Sequence, residues 1–587
     1  MGEVNLYDIA VVGSGPAGMC AAIEATIFGA KVCVVDRNFK AGGQLFKQIH
    51  KFFGSGEHYA GQRGFEIGNS LLGELKKCSN IDIFLESTVF NICSKVISSL
   101  ETKENNFYTL WVSKNDNKIL KIYAKNIIIS TGASEKSLFF KGWTLPGVMS
   151  AGAIQTLVNV YRVLPGKRIL MIGSGNVGLI ISYQLLQAGA EVVGIVEIME
   201  DIGGYRVHAD KILRSGVPVF TSYVLDRVEG KEKVEKAYIY KIDSGGEKLE
   251  GTERELDVDI VCLATGLEPY SNLLRILGCY HIYSQELGGF VPLHSEDLET
   301  PVRGVFVCGD ASGIEEATTA MEEGKLAALS SCFKLNLLNE DDFMIRRDKI
   351  IENLSKLRTG KFGDKVKAAK ESIIKQYRSF INSSKESKNS GMISINFNNN
   401  LSNRLSNVKN IISNSKDNIS NNENDENKTY FSNNKKLEEE FDKVRKAKVK
   451  KFALIECFEE IPCDPCEKAC PKGAITIGED ITSIPRVDYS LCSGCGLCIA
   501  SCPGLAIRVI DMEKNLIDLP YELLPVPEVG EIVNILDGSG NILGEGKVVK
   551  VRNNKSFNKT IIITVRVDKK NLYLAKSIKC RGAGKNE

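Results

Sequence analysis

Residues 7–36, YDIAVVGSGPAGMCAAIEATIFGAKVCVVD, decide the fold. An apolar run, a glycine-rich turn, a helical stretch of small residues and a second apolar run ending in an acid follow one another. That order is the strand–turn–helix–strand unit of a dinucleotide-binding α/β layer. Gly13 allows the tight turn, Gly15 lets the backbone approach a pyrophosphate at the helix N-terminus, and Gly18 lets helix and sheet pack closely. Asp36 stands where an acid accepts hydrogen bonds from a ribose. The alternative reading is a glycine-rich turn in a nucleotide-free α/β domain.

The unit occurs twice. Residues 167–197, KRILMIGSGNVGLIISYQLLQAGAEVVGIVE, repeat it with Gly173, Gly175, Gly178 and Glu197. An acid closing the second strand favours a free ribose 2′-hydroxyl over a 2′-phosphate, so NAD is expected rather than NADP. A domain kept as scaffold, with no nicotinamide bound, is the competing reading.

A different chemistry sits near the C-terminus. From Cys457 to Cys502 the chain reads CFEEIPCDPCEKACPKGAI and then CSGCGLCIASCPGLAI. The second run has the spacing C-x2-C-x2-C-x3-C-P that wraps an iron–sulfur cluster, and the first has C-x2-C-x3-C-P with one more Cys upstream. Because the Cys before Pro is carried away to the other cube, one [4Fe–4S] cluster is expected on Cys492, Cys495, Cys498 and Cys470. The other is expected on Cys463, Cys466, Cys502 and a fourth ligand. The regular position for that ligand holds Glu460, and Cys457 is the nearest upstream thiol; an incomplete cluster is the alternative. CxxC alone also serves zinc ribbons and redox dithiols.

Composition bounds the rest. The chain has 587 residues, enough for several domains, and a formal net charge of +2, which gives no case for a nucleic-acid partner. No apolar run of roughly 18 residues suggests a membrane span, and the N-terminal residues lead directly into a strand. A soluble, cytoplasmic protein is expected. Of 17 cysteines, those outside the cluster run, such as Cys20, Cys33, Cys262 and Cys308, lie in apolar stretches and read as small buried residues of a reducing compartment.

At 304–325, GVFVCGDASGIEEATTAMEEGK has a strand ending in Gly309 and Asp310 before a helix. Here the chain resembles the FAD-dependent pyridine-nucleotide oxidoreductases with two dinucleotide-binding domains. That resemblance implies FAD on the first unit, with Asp310 at its ribityl or pyrophosphate region. It also implies that Thr131–Gly132 and Thr265–Gly266 mark crossings between the domains. GGQLFKQ, with Gly42, Gly43 and Gln44, and GWTLPGV resemble the flavoprotein A or alpha subunits of opine oxidases, amine and proline dehydrogenases and hydrogen cyanide synthase. The cofactor-binding set so implied adds Gly43, Gln44, Thr131, Gly132, Gly309 and Asp310 to the two glycine turns and their acids. Disulfide reductases of the same architecture carry a redox dithiol beside the flavin; no CxxC or CxxxxC pair precedes Cys457, so the clusters are the obvious acceptor.

The expected fold class is α/β, with two Rossmann-like three-layer domains, a C-terminal α+β ferredoxin-like domain and a small β tail. The FAD domain is placed at 1–148 and 270–335, the NAD domain at 149–269 and a helical segment at 341–380. A disordered Asn/Ser/Lys-rich linker is placed at 381–436, the two-cluster domain at 437–518 and the β tail at 519–587. Such a linker leaves the cluster domain either docked or swinging. The expected function is an FAD-dependent subunit relaying electrons between NAD(H), FAD and two [4Fe–4S] clusters. The resemblance implies a second flavoprotein subunit of amine or amino-acid dehydrogenase type; a ferredoxin is the other candidate partner. The alternatives are a stand-alone NAD(P)H:ferredoxin-type oxidoreductase and a non-catalytic electron-wiring subunit. No catalytic acid or base is legible; His50 and His58 are candidates for the flavin neighbourhood, with a structural role the blander reading.

Overall fold

The computed structural model describes residues 6–95, 107–115, 118–389 and 428–581. These form two compact units, one of residues 1–374 with 449–587 and one of residues 375–448. The first holds both dinucleotide folds and the cysteine-rich module.

The opening sequence builds the first sheet. Leu6–Val12 lies parallel between Val32–Val35 and Ile119–Ile129, with Ile81–Phe84 outside Val32–Val35 and Val305–Val307 also parallel to Ile119–Ile129. Phe107–Lys114 and Ser87–Lys95 extend it antiparallel. Ile9, Val11, Val32 and Val34 are fully buried against the helices Pro16–Ile27 and Ala317–Lys334, as a run covered on both faces requires. The late strand and helix return to this sheet, so it is built from segments far apart in sequence.

The second sheet is all parallel, in the order Val219–Thr221, Glu191–Glu197, Arg168–Ile172, Ile260–Leu263, Val148–Ser150. The crossing segments pair: Ala133–Glu135 runs antiparallel to Leu267–Pro269, and Thr131 Oγ1 donates to Tyr270 O at 2.6 Å.

The C-terminal part differs from the sequence expectation. Lys451–Ile455 and Ile507–Asp511, which flank the cysteines, continue through Leu516–Tyr521, Ile561–Arg566, Ile542–Arg552, Ile532–Leu536 and Ser577–Cys580 as one antiparallel sheet. The expected boundary between 518 and 519 falls inside Leu516–Tyr521, because that strand pairs on both edges. The expected β tail is therefore the outer half of the cluster module's own sheet. The expected turn is present: Asp537 Oδ1 accepts from Ser539 N and Asn541 N at 2.8 and 2.9 Å between the two hairpin strands.

The helical expectation for 341–380 resolves into Glu340–Leu357 and a helix Gly360–Asn389, broken where Gly360 takes φ +80°. The expected linker 381–436 is helical at both described ends, through Asn389 and from Lys428 in Lys428–Ala447. Residues 390–427 lie outside the described residues. The compact unit holding the cysteines resumes at Val449, not at 437.

Candidate functional site

Each glycine turn forms an open cradle. A Cβ on Gly13 would meet Ser130 O at 2.4 Å and one on Gly18 would meet Gly13 O at 1.9 Å, whereas one on Gly15 would meet no protein atom within 4 Å. Gly173, Gly178 and Gly175 repeat this, with Ala264 O at 2.4 Å, Gly173 O at 2.1 Å and open space. Two glycines of each turn thus serve packing and the third faces open space. The helices Pro16–Ile27 and Asn176–Gln187 begin at Gly15 and Gly175 with no side-chain cap and no acid in the first turn. Their N-terminal amides are left to an anion, and the residues present fit a dinucleotide pyrophosphate.

The two acids are organised alike. Asp36 Oδ2 accepts from Ser14 N and Oγ at 2.7 and 2.6 Å, while Oδ1 accepts from Asn38 N at 2.8 Å. Glu197 Oε2 accepts from Ser174 N and Oγ at 2.9 and 2.6 Å, while Oε1 accepts from Met199 N at 2.9 Å. Both carboxylates fix the turn through a serine that sequence reasoning passed over. Their remaining lone pairs could take ribose hydroxyls.

The Gly42–Gly43 pair singled out in the sequence has a counterpart, Gly203–Gly204, that sequence reasoning missed. Gly42 N donates to Ser14 O at 2.8 Å, and Gly43 lies so close to Gly15 that a Cβ would come within 2.8 Å of its Cα. Gly204 N donates to Ser174 O at 2.9 Å, and Gly203 N to Ser174 Oγ at 2.9 Å. A Gly-Gly pair at one offset from each acid was the available signal. Gln44 is exposed.

Below the first cradle, Gly309 N donates to Glu323 Oε2 at 2.9 Å. Glu323 is 2% exposed, and its other oxygen takes Lys370 at 2.8 Å and Arg358 at 2.6 Å. Burial opposes that charge, but Lys370 and Arg358 win and hold the carboxyl well below its ordinary range. Burial pushes Asp310 up to about 7, against one backbone hydrogen bond from Glu315 N at 3.3 Å. His58 is structural: Nδ1 lies 2.7 Å from Ser55 Oγ and Nε2 lies 3.4 Å from Glu322. His50 is partly buried, and desolvation pushes it down to about 3, so it is neutral.

The cysteines form two groups. Cys470, Cys492, Cys495 and Cys498 line one cavity with Gly494 and Gly496, and Cys495 is exposed. Cys457, Cys463, Cys466 and Cys502 share one packed cluster, and burial pushes the Cys463 thiol well up, with the other three raising it further. Glu460 packs its backbone against Gly360 instead. Ala474 N, Ala453 N and Ala506 N donate to the sulfurs of Cys470, Cys492 and Cys502 at 3.3, 3.4 and 3.4 Å. Among the described residues no three His, Cys, Asp or Glu side chains close on a point as one ion would require. Thiols around a space, with N–H donors on their sulfurs, fit cubane clusters.

The module is seated on both dinucleotide folds. Gly54 and Cys463 form a parallel bridge, and a Cβ on Gly54 would stand 3.2 Å from Thr318 Cγ2, in the first turn of the helix after Gly309–Asp310. Arg63 reaches Glu522 at 3.0 Å, Gln187 reaches the same carboxylate at 3.0 Å, and Arg206 N donates to Glu459. Phe53, Tyr205 and Phe362 pack edge to face beside this seam.

Comparison with known proteins agrees with this anatomy. Residues 7–324 match the pyridine nucleotide-disulphide oxidoreductase family, and residues 461–506 match a 4Fe-4S dicluster domain, a match that leaves Cys457 outside. The opine oxidase A subunit of Agrobacterium tumefaciens is 29% identical over 57% of this chain and 67% of its own length. The HcnB subunit of hydrogen cyanide synthase from Pseudomonas aeruginosa is 23% identical over 61% of this chain and 78% of its own. Among solved structures, L-proline dehydrogenase from P. horikoshii aligns at 22% identity and TM-score 0.45, covering 60% of each chain. No helix among the described residues is long and apolar enough to cross a membrane.

Proposed function

Since this chain belongs to the pyridine nucleotide-disulphide oxidoreductase family and carries a 4Fe-4S dicluster domain, we propose that it is the electron-relaying subunit of an amine or amino-acid dehydrogenase complex. In this reading FAD lies on the first cradle, NAD(H) on the second, and two [4Fe–4S] clusters lie in the C-terminal module. Bound FAD would supply hydride exchange with NAD(H) and single-electron exchange with the clusters.

The chain's own residues define the geometry. Gly15, Gly43 and the free amides of Pro16–Ile27 hold the FAD pyrophosphate, Asp36 its ribose, and Gly309–Asp310 its flavin half. Gly175, Gly203 and Glu197 do the same for NAD. Cys457, Cys463, Cys466 and Cys502 hold the inner cluster; Cys470, Cys492, Cys495 and Cys498 hold the outer one, whose exposed Cys495 faces a partner.

The observation that carries the reading is Gly54, which is bridged to Cys463 on one side and lies against Thr318 of the flavin-domain helix on the other. The subunits named among the relatives support a complex, and in this reading the partner flavoprotein oxidises the amine. Replacing Cys495 by Ser tests the relay: NADH should still bleach the flavin while transfer to a one-electron acceptor is lost. Unchanged transfer would contradict it. Isolated from its own cells, the chain should co-purify with a second flavoprotein, and a free chain active with NADH and a ferredoxin would contradict the complex.

A further inference from the structure

Two buried lysines converge on the loop that carries Cys502. Lys51, from the FAD-type domain, is 4% exposed and donates to Ala500 O, to Phe557 O at 3.1 Å and to Thr560 Oγ1 at 2.8 Å. Lys211, from the helix Arg206–Leu213 of the NAD-type domain, is also 4% exposed. It donates to Pro503 O at 3.3 Å, with its ammonium 5.3 Å from the Tyr183 ring centroid. Each dinucleotide domain thus sends one ammonium to a backbone carbonyl flanking Cys502.

The charges around these ammoniums do not balance. They lie near the cations Arg63 and Arg214 and the carboxylates Glu522 and Glu66, and both also lie near Cys502. Lys51, Lys211 and Arg63 thus outnumber Glu522 and Glu66 in this seam, while Arg214 also faces Glu456. His50, neutral, lines the same small cavity with Lys51, Lys211 and Glu522. Burying uncompensated positive charge is costly unless a negative group completes the set. Holding Ala500 O and Pro503 O would need only a neutral donor, so hydrogen bonding leaves the charge unexplained. A four-thiolate cluster on Cys502 supplies the missing negative charge and gains one more on reduction.

We propose that Lys51 and Lys211 are the buried counter-charges of the cluster that Cys502 ligates, and that they hold its reduction potential above the value its ligands alone would give. The inference rests on the reading of Cys457, Cys463, Cys466 and Cys502 as cluster ligands. It makes the inner cluster's potential depend on both domains being seated, since one lysine comes from each.

The test is an EPR-monitored redox titration of the full-length, iron-loaded protein, comparing wild type with Lys51→Gln, Lys211→Gln and Lys211→Arg. Glutamine keeps a donor for the carbonyl and removes the charge; arginine keeps the charge. In each Gln variant one of the two clusters should become about tenfold harder to reduce, about 59 mV for one electron, with the other unmoved and the Arg variant close to wild type. Unmoved midpoints at full iron content overturn the inference. Loss of iron from both Gln variants with full loading in the Arg variant supports it, and loss from all three overturns it in favour of packing alone. A wild-type protein with no cluster signal would instead overturn the ligand reading.

Discussion

Gly54 and Cys463 are paired backbone to backbone, with Gly54 N donating to Pro462 O at 2.7 Å and Asp464 N donating to Gly54 O at 3.2 Å. Gly54 takes φ +117°, a conformation that L side chains rarely adopt, and it leaves no free space toward Thr318. The contact therefore demands glycine. Replacement by Val would strain the loop by about 1–3 kcal/mol and push the module off the flavin-domain helix. Gly54→Val should keep its flavin and its reduction by NADH, while electron arrival at the clusters slows by about tenfold or more. Stopped-flow absorbance separates the two phases, and an unchanged second phase would contradict the docking.

The two acid-to-serine clamps make the cradles separable. Asp36→Asn weakens the charged hydrogen bonds from Ser14 by about 2 kcal/mol, and FAD should bind roughly thirtyfold more weakly. Glu197→Gln should leave flavin content intact and raise the KM for NADH. Flavin content and steady-state kinetics measured on both variants check this, and NADH kinetics untouched in Glu197→Gln would argue that the second fold is scaffold.

Glu323 links the flavin segment to the helices beyond it. Its carboxyl is depressed in the folded state, so it stabilises the fold at pH values above its unfolded value near 4.5, and that stability is lost as pH falls through the depressed folded value. Lys370→Met removes one of its cations and should destabilise the protein by about 3 kcal/mol. Denaturant midpoints measured from neutral pH downward should show the wild type falling only in acid, with the variant lower from the outset.

Cys457 stands outside the regular ligand spacing yet beside Cys463, Cys466 and Cys502. Cys457→Ala should lower iron content toward that of a single intact cluster. Iron equal to wild type would remove Cys457 from the ligand set.

Much of this was legible in local sequence. The two glycine turns, their acids and the spacing of the cysteines are short-range patterns, and short-range sterics fix them. The expected β tail was misdrawn because strand partners are set by pairing far along the chain: Leu516–Tyr521 pairs with Ile507–Asp511 nearby and with Ile561–Arg566 much later. Ser14 and Ser174 were overlooked because a serine inside a glycine turn reads as solvent-facing until its acid is in place. Nothing in the sequence singles out Lys51 and Lys211, since lysines are usually exposed. Only the docking of three folds around Cys502 buries them.

The most direct test of the relay is anaerobic mixing of the loaded protein with NADH, followed by stopped-flow absorbance and freeze-quench EPR. The account predicts bleaching of the flavin band first and reduced-cluster signals next, with the second phase slowed about tenfold or more in Gly54→Val. A flavin that stays oxidised, or one that bleaches while both clusters remain oxidised, would contradict it.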